Sequence, residues 1–181
     1  MLDQELLFKI AAGDRRAFLL LFEKHKGLVY GICRRYMGAD MSAQDMAQEA
    51  WMRIVQSAGS YKPTGSAKSW ILTIARNLCL NELKRSKWEQ AIEPSEFNNK
   101  VFDDLDLEKD LIKNQDLSLL KAAMDELPAQ QRAVLLMALS DNEISQSEMA
   151  EACGLSVNNF KVILFRAKKS LEEMLKEGSH G

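Results

Sequence analysis

Three places in the chain hold side chains whose types and spacing suit recognition rather than bond-making. Residues 157–171 contain Lys161, Arg166, Lys168 and Lys169 and no acid. A helix charged in this way can lie in a DNA major groove, because its cations replace condensed counterions. Asn158 and Asn159 fall in the first turn after Ser156, where side chains reach base edges and Asn can pair with adenine through two bonds. The same charges also fit the solvated face of a helical hairpin. A second constellation is Asp45-Met46-Ala47-Gln48-Glu49-Ala50-Trp51. On a helix Asp45, Gln48, Glu49 and Met52 share one face, acidic and amide-rich beside apolar residues. That suits a protein contact, and it also suits plain solvation. The third runs from Tyr61, Lys62 and Lys68 through Trp70 to Arg76, Asn77, Lys84 and Arg85. Aromatics interleaved with cations suit single-stranded nucleic acid: bases stack while cations follow phosphates. Trp70 as an ordinary core residue is the competing reading.

The elements that must position these groups read as helices throughout. Leu2, Leu6, Leu7 and Ile10 mark a short amphipathic helix ending at Gly13. Asp14 is a good N-cap for the next, Gly27 is expected to interrupt it, and Gly38 to stop it. Ser42-Ala43-Gln44-Asp45 opens a helix to about Ser57, close to a capping box. Gly59–Ser66 reads as a loop, and Ala67 to about Lys87 as a long helix. In the C-terminal part, one helix reaches Leu127 and Pro128 starts another. Ser145-Gln146-Ser147-Glu148 is a capping box, Cys153–Ser156 a tight turn, and Ser156 the cap of a last helix to about Lys176. A short helix, a Gly-containing turn and a longer basic helix form a helix-turn-helix pattern.

Composition narrows the function classes. Of 181 residues 46% are apolar, and the formal net charge is −2. No apolar run approaches the roughly 18–20 residues needed to span a bilayer, and the N-terminus lacks the pattern of a signal peptide. A cytoplasmic protein without membrane insertion is expected. Charge is segregated: 14 basic and 8 acidic residues in 1–88, 3 and 9 in 89–116, 7 and 9 in 117–181. Such blocks suggest separate partners for separate segments. Cys33, Cys79 and Cys153 form no CxxC pair and read as buried free thiols. His25 and His180 have no acidic or Cys neighbour at ligand spacing, so neither a metal nor a cofactor is expected. An enzyme such as a recombinase or nuclease would need clustered carboxylates or a positioned nucleophile, and the acids of 89–116 sit in a linker. About four phosphate contacts on the basic helix give a salt slope of roughly −3.6, modest for a domain that must hold DNA unaided.

Taken together, the segments resemble sigma factors of the extracytoplasmic-function (ECF) group of the sigma-70 family, from about Ala17 to Leu175. Asp45 to Trp51 resembles the family's Asp-x-x-Gln-Glu-x-aromatic segment of region 2. Trp70-Ile71-Leu72-Thr73-Ile74-Ala75-Arg76-Asn77-Leu78 resembles its Trp-Leu-x-x-Ile-Ala-Arg-Asn signature. Leu127-Pro128-Ala129-Gln130-Gln131-Arg132-Ala133-Val134-Leu135 resembles the opening of region 4, and Glu148-Met149-Ala150 through Leu164-Phe165-Arg166-Ala167 its helix-turn-helix. The resemblance implies an all-α chain: a region 2 bundle over 1–88, an acidic linker over 89–116 and a region 4 helix-turn-helix over 117–181. It implies that Asp45, Gln48 and Glu49 contact the β′ clamp helices of core RNA polymerase, with the β flap a further contact of that enzyme. Tyr61, Lys62, Lys68, Trp70, Arg76, Asn77, Lys84 and Arg85 would serve the −10 element, holding a flipped base whose extrusion costs a few kcal/mol. Ser156, Asn158, Asn159, Lys161, Arg166 and Lys168 would serve the −35 element. The linker's 28 residues could span roughly 90 Å, about 27 base pairs, and its acids would occupy a channel that otherwise holds RNA.

The implied function is to bring polymerase to promoters and help open them, without catalysis by this chain and under restraint by an anti-sigma factor. The departures are Val162-Ile163 where a Ser-Arg pair is common, Asn81 where Asp is common, and the acidic stretch Asp141-Asn142-Glu143. Two alternatives stay open, the second of them because of Val162-Ile163. One is a free-standing helix-turn-helix regulator. The other is a sigma-like scaffold that binds an anti-sigma partner but starts no transcription.

Overall fold

A computed structural model describes residues 1–38, 40–90, 117–139 and 144–178. The described residues are helical with no strand, and they fall into two compact units. The first holds α1 (Asp3–Ala11), α2 (Arg15–Met37), α3 (Asp40–Ser57), a 3₁₀ turn (Ala58–Ser60) and α4 (Ala67–Gln90). The second holds α5 (Leu117–Glu126), α6 (Ala129–Ala138), α7 (Gln146–Ala152) and α8 (Val157–Gly178).

In the first unit the spacing of apolar residues decides what is buried. α2 buries Ala17, Leu21, Leu28, Val29, Ile32, Cys33 and Tyr36, every third or fourth residue. α3 turns Ala43, Ala47, Ala50 and Ile54 toward it; three alanines in that row let the helices approach closely. α4 adds Ile71, Leu72, Ala75 and Cys79, and α1 adds Leu6, Leu7 and Ile10. Asp14 caps α2, its carboxylate accepting from Arg16 N at 2.8 Å and Ala17 N at 3.2 Å. Gly38 ends α2 with φ +78, a left-handed position that glycine adopts without strain.

Some expectations need correction. α2 runs unbroken through Gly27, because packing on both sides outweighs the roughly 1 kcal/mol that a mid-helix glycine costs. α3 begins at Asp40 rather than Ser42. His25, which has no acidic neighbour at ligand spacing in the sequence, is buried with its Nε2 2.9 Å from Asp3 on α1. Cys33 and Cys79, 46 positions apart, meet between α2 and α4. Their hydrogen bond together with burial pushes the Cys79 thiol far up, so it stays protonated. Cys153 is half-buried at the end of α7 rather than enclosed. Of the expected 89–116 linker, residues 89 and 90 belong to α4, and 91–116, like the stretch Asp141–Glu143, lie outside the described residues.

The second unit packs α5, α6 and α7 against α8, around Phe160, Ala167 and Leu171 of α8 and Val134, Leu135 and Met137 of α6. The capping box at α7 forms as expected: Glu148 N donates to Ser145 Oγ at 3.2 Å and Ser145 N to Glu148 Oε2 at 2.9 Å. Gly154, at φ +68, makes the turn into α8. Ser156 Oγ accepts from Asn159 N at 3.2 Å, which fixes where α8 begins.

Candidate protein-docking and nucleic-acid faces

The outward side of α3 carries the first face. Asp45 and Gln48 are exposed, and Glu49 is half-buried and held by Arg53 Nε at 2.8 Å. What the residue types did not reveal is the surface beside them. α2 and α3 enclose a groove of about 890 Å³, bordered by Gln48, Phe18, Phe22, Trp51, Met52 and Val55. Its aromatic floor is ordered: Trp51 meets Phe22 edge-on at 5.1 Å and Phe18 at 6.1 Å, and the two phenylalanines are 5.8 Å apart. Met52 and Val55 leave the groove wall partly open to water. An apolar trough with a polar lip suits an amphipathic helix, whose spaced apolar residues enter while its polar flanks meet the lip.

The second face surrounds the loop before α4. Tyr61 is only 6% exposed and is a support rather than an outward contact. Its ring lies 5.4 Å from Trp70, and its hydroxyl donates to the Gly65 carbonyl at 3.4 Å. Lys62 is exposed, and Lys68 and Trp70 are half-buried. Seven-residue spacing aligns Trp70, Asn77 and Lys84 on one face of α4, whereas Arg76 falls about 120° away. Arg76 Nη1 donates to Asn77 Oδ1 at 3.2 Å, while its Nε is buried without a partner. Arg85 is exposed and paired with Glu82 at 2.8 Å. Along α4, Trp70, Asn77 and Lys84 therefore share one face, and Lys68 and Arg76 lie off it.

The third face is the outer side of α8. Asn158, Val162, Phe165 and Lys169 lie within about 60° of one another around the helix. Asn159 and Arg166 flank this row on one side, Lys161 and Lys168 on the other. All eight are exposed, Val162 by 47% and Phe165 by 68%. Ser156 is exposed but engaged in capping. Phe165 carries no charge or polar group to mark it as a contact by type; its helical position opposite buried Phe160 and Ala167 is the signal that places it outward.

Two family models match the chain: Sigma-70 region 2 over residues 21–89 and Sigma-70, region 4 over residues 117–171. The ECF RNA polymerase sigma factor SigM of Mycobacterium tuberculosis is 30% identical over 173 residues, covering 96% of this chain and 84% of the relative. SigW of Bacillus subtilis is 23% identical, covering 98% of both chains. The fold is similar to that of CnrH, solved in complex with the cytosolic domain of CnrY, at TM-score 0.64 and 18% identity over 97% of each chain. It is also similar to RpoE from Bartonella quintana, solved with the anti-sigma factor NepR, at TM-score 0.61 and 20% identity over 88% of this chain and 96% of that one. With both regions present in order, and a relative at this identity spanning nearly the whole chain, the protein belongs to the ECF group of the sigma-70 family of RNA polymerase sigma factors.

Proposed function

We propose that the three faces divide the work of this sigma factor, which directs RNA polymerase to promoters and assists their opening. The α2–α3 groove, with Asp45, Gln48 and Glu49 beside it, takes the β′ clamp helices of core polymerase. The loop 59–68 and the Trp70–Asn77–Lys84 row of α4 take the −10 strand. The outer row of α8 takes the −35 element, where Asn158 and Asn159 meet base edges and Lys161, Arg166 and Lys168 meet phosphates. Val162 and Phe165 there offer apolar contact suited to thymine methyl groups. Residues 1–88 and 117–181 are the working domains, and 89–116 the acidic connection through the enzyme, which also meets α8's domain through the β flap. The chain itself is not a catalyst, and it acts in the cytoplasm; among the described residues no helix is long and apolar enough to cross a membrane.

The observation that carries this division is the apolar groove on α2 and α3, which a regulator working alone on DNA has no use for. An anti-sigma factor that lays a helix in the same groove would compete directly with polymerase. Run-off transcription with core enzyme on genomic fragments tests the reading. Start sites are expected only when both proteins are present, and the chain alone is expected to give no specific gel shift at moderate salt. The double change Asp45→Ala with Glu49→Ala should weaken core binding; unchanged affinity would remove that face from the contact.

A further inference from the structure

Helix α1 precedes the segment that matches Sigma-70 region 2, and none of the three faces described above uses it. Yet it is fastened to the rest of the unit. At its start, Asp3 Oδ1 accepts from Lys24 Nζ at 2.6 Å, and Oδ2 lies 2.9 Å from His25 Nε2, both partners on α2. Leu6, Leu7 and Ile10 seat its inner side in the core. Phe8 is different: its ring is 49% exposed and 5.9 Å from the ring of Tyr61. Tyr61 thus stands between Phe8 and Trp70, with its hydroxyl on the Gly65 carbonyl across the loop.

We propose that α1 is a positioning element of the −10 site, with Phe8 holding Tyr61, and through it the 61–65 loop, in the shape that receives the strand. The inference rests on reading this loop as the promoter-strand site. A ring held between two others keeps one rotamer. Besides the tyrosine hydroxyl, Tyr61 N donates to Ala58 O at 3.2 Å and Thr64 N to Lys62 O at 2.8 Å, within a segment that must meet an extruded base. A loop already ordered loses less freedom on binding. Without the Phe8 ring, Tyr61 can swing toward the vacated side and the Gly65 contact is no longer enforced. Because half of Phe8 faces water, replacing it by leucine removes the ring contact while leaving the core of α1 in place.

The test uses full-length protein with core polymerase and a promoter fragment recovered by run-off transcription of genomic DNA. Core affinity is measured by titration, and opening by permanganate reactivity of thymines. Phe8→Leu should reduce opening five- to tenfold with core affinity within twofold of wild type, and Phe8→Tyr should restore opening. In a Tyr61→Leu background, Phe8→Leu should add nothing further, because its effect passes through Tyr61. The proposal is overturned if Phe8→Leu lowers core affinity and opening alike, which marks a merely structural helix. It is also overturned if Phe8→Leu opens the promoter normally. In that case Lys62→Ala, changed in the loop itself, tells the two readings apart. A defect there leaves the strand site standing without α1, and normal opening removes the strand site as well.

Discussion

The two units solve recognition in opposite ways. The first hides its capacity in a fold: a trough between α2 and α3 with an aromatic floor, and a loop whose tyrosine is turned inward. The second displays a row on one helix, with cations on both sides of Val162 and Phe165. A protein partner offers apolar side chains, and their burial needs a cavity deep enough to exclude water. DNA offers a regular array of phosphates and base edges, which a straight helix can follow without any cavity. With the concave apolar trough proposed for protein and the convex cationic row for DNA, the two faces should fail in different ways.

The largest effect is expected from a charge placed in the trough. Val55→Glu leaves the core intact, since Val55 is partly exposed, but forces an unpaired carboxylate into a desolvated contact. Such a penalty is about 2–4 kcal/mol, a loss of core affinity of roughly 30- to 1000-fold, with little dependence on salt. Binding measured at two ionic strengths checks it; a loss that salt abolishes would make the contact electrostatic and erase the contrast between units. On α8 the pattern reverses. Lys161→Ala and Lys168→Ala should each weaken promoter binding by the holoenzyme across all sequences and lower the salt slope by about 1. If either instead changed which sequences are chosen, that lysine reads bases and not phosphates.

Legibility in the sequence followed the range of the interactions. Asp14, Gly38, Ser145 and Ser156 announced helix ends because a cap bonds to backbone only two to four residues away. The region signatures marked α3, α4 and the helix-turn-helix for the same reason. What escaped is made by distant residues. Asp3 reaches His25 across 22 positions, Cys33 reaches Cys79 between two helices, and Phe18 and Phe22 meet Trp51 to form the groove floor. Tyr61 stands out in the sequence by its type, but no pattern in a loop says which way an aromatic ring faces, and here it is turned inward. Gly27 was misjudged because a local cost was weighed without the tertiary contacts that override it.

The fastening of α1 supplies a smaller, pH-dependent distinction confined to the first unit. Burial alone would raise the Asp3 carboxyl, but the bonds from Lys24 and His25 outweigh it and hold the group below its ordinary value. Its contribution is then present above the unfolded carboxylate value of about 4 and is lost as pH falls through the lowered folded value. Asp3→Asn should cost about 1–2 kcal/mol at pH 5, and the gap to wild type should close at lower pH. Denaturant melts followed by Trp51 and Trp70 fluorescence read the first unit, where both residues lie. A gap unchanged down to pH 2 would mean that the carboxylate charge is not what fastens the helix.

The smallest change separates stability from docking within a single residue. Gly27 lies in the interior of α2 and on the wall of the groove. A Cβ added there meets nothing within 4 Å, so Gly27→Ala gains helix propensity without a clash, about 0.5–1 kcal/mol of added stability. The same methyl group projects into the space that a partner helix would fill. A well-packed trough resists even one added methylene, so the more stable variant should bind core polymerase more weakly, by several-fold. Stability and affinity would then move in opposite directions. That is the behaviour of a glycine kept for a partner's approach, and a variant that gains in both would show the trough to be too loosely filled at this point to serve as the docking seat.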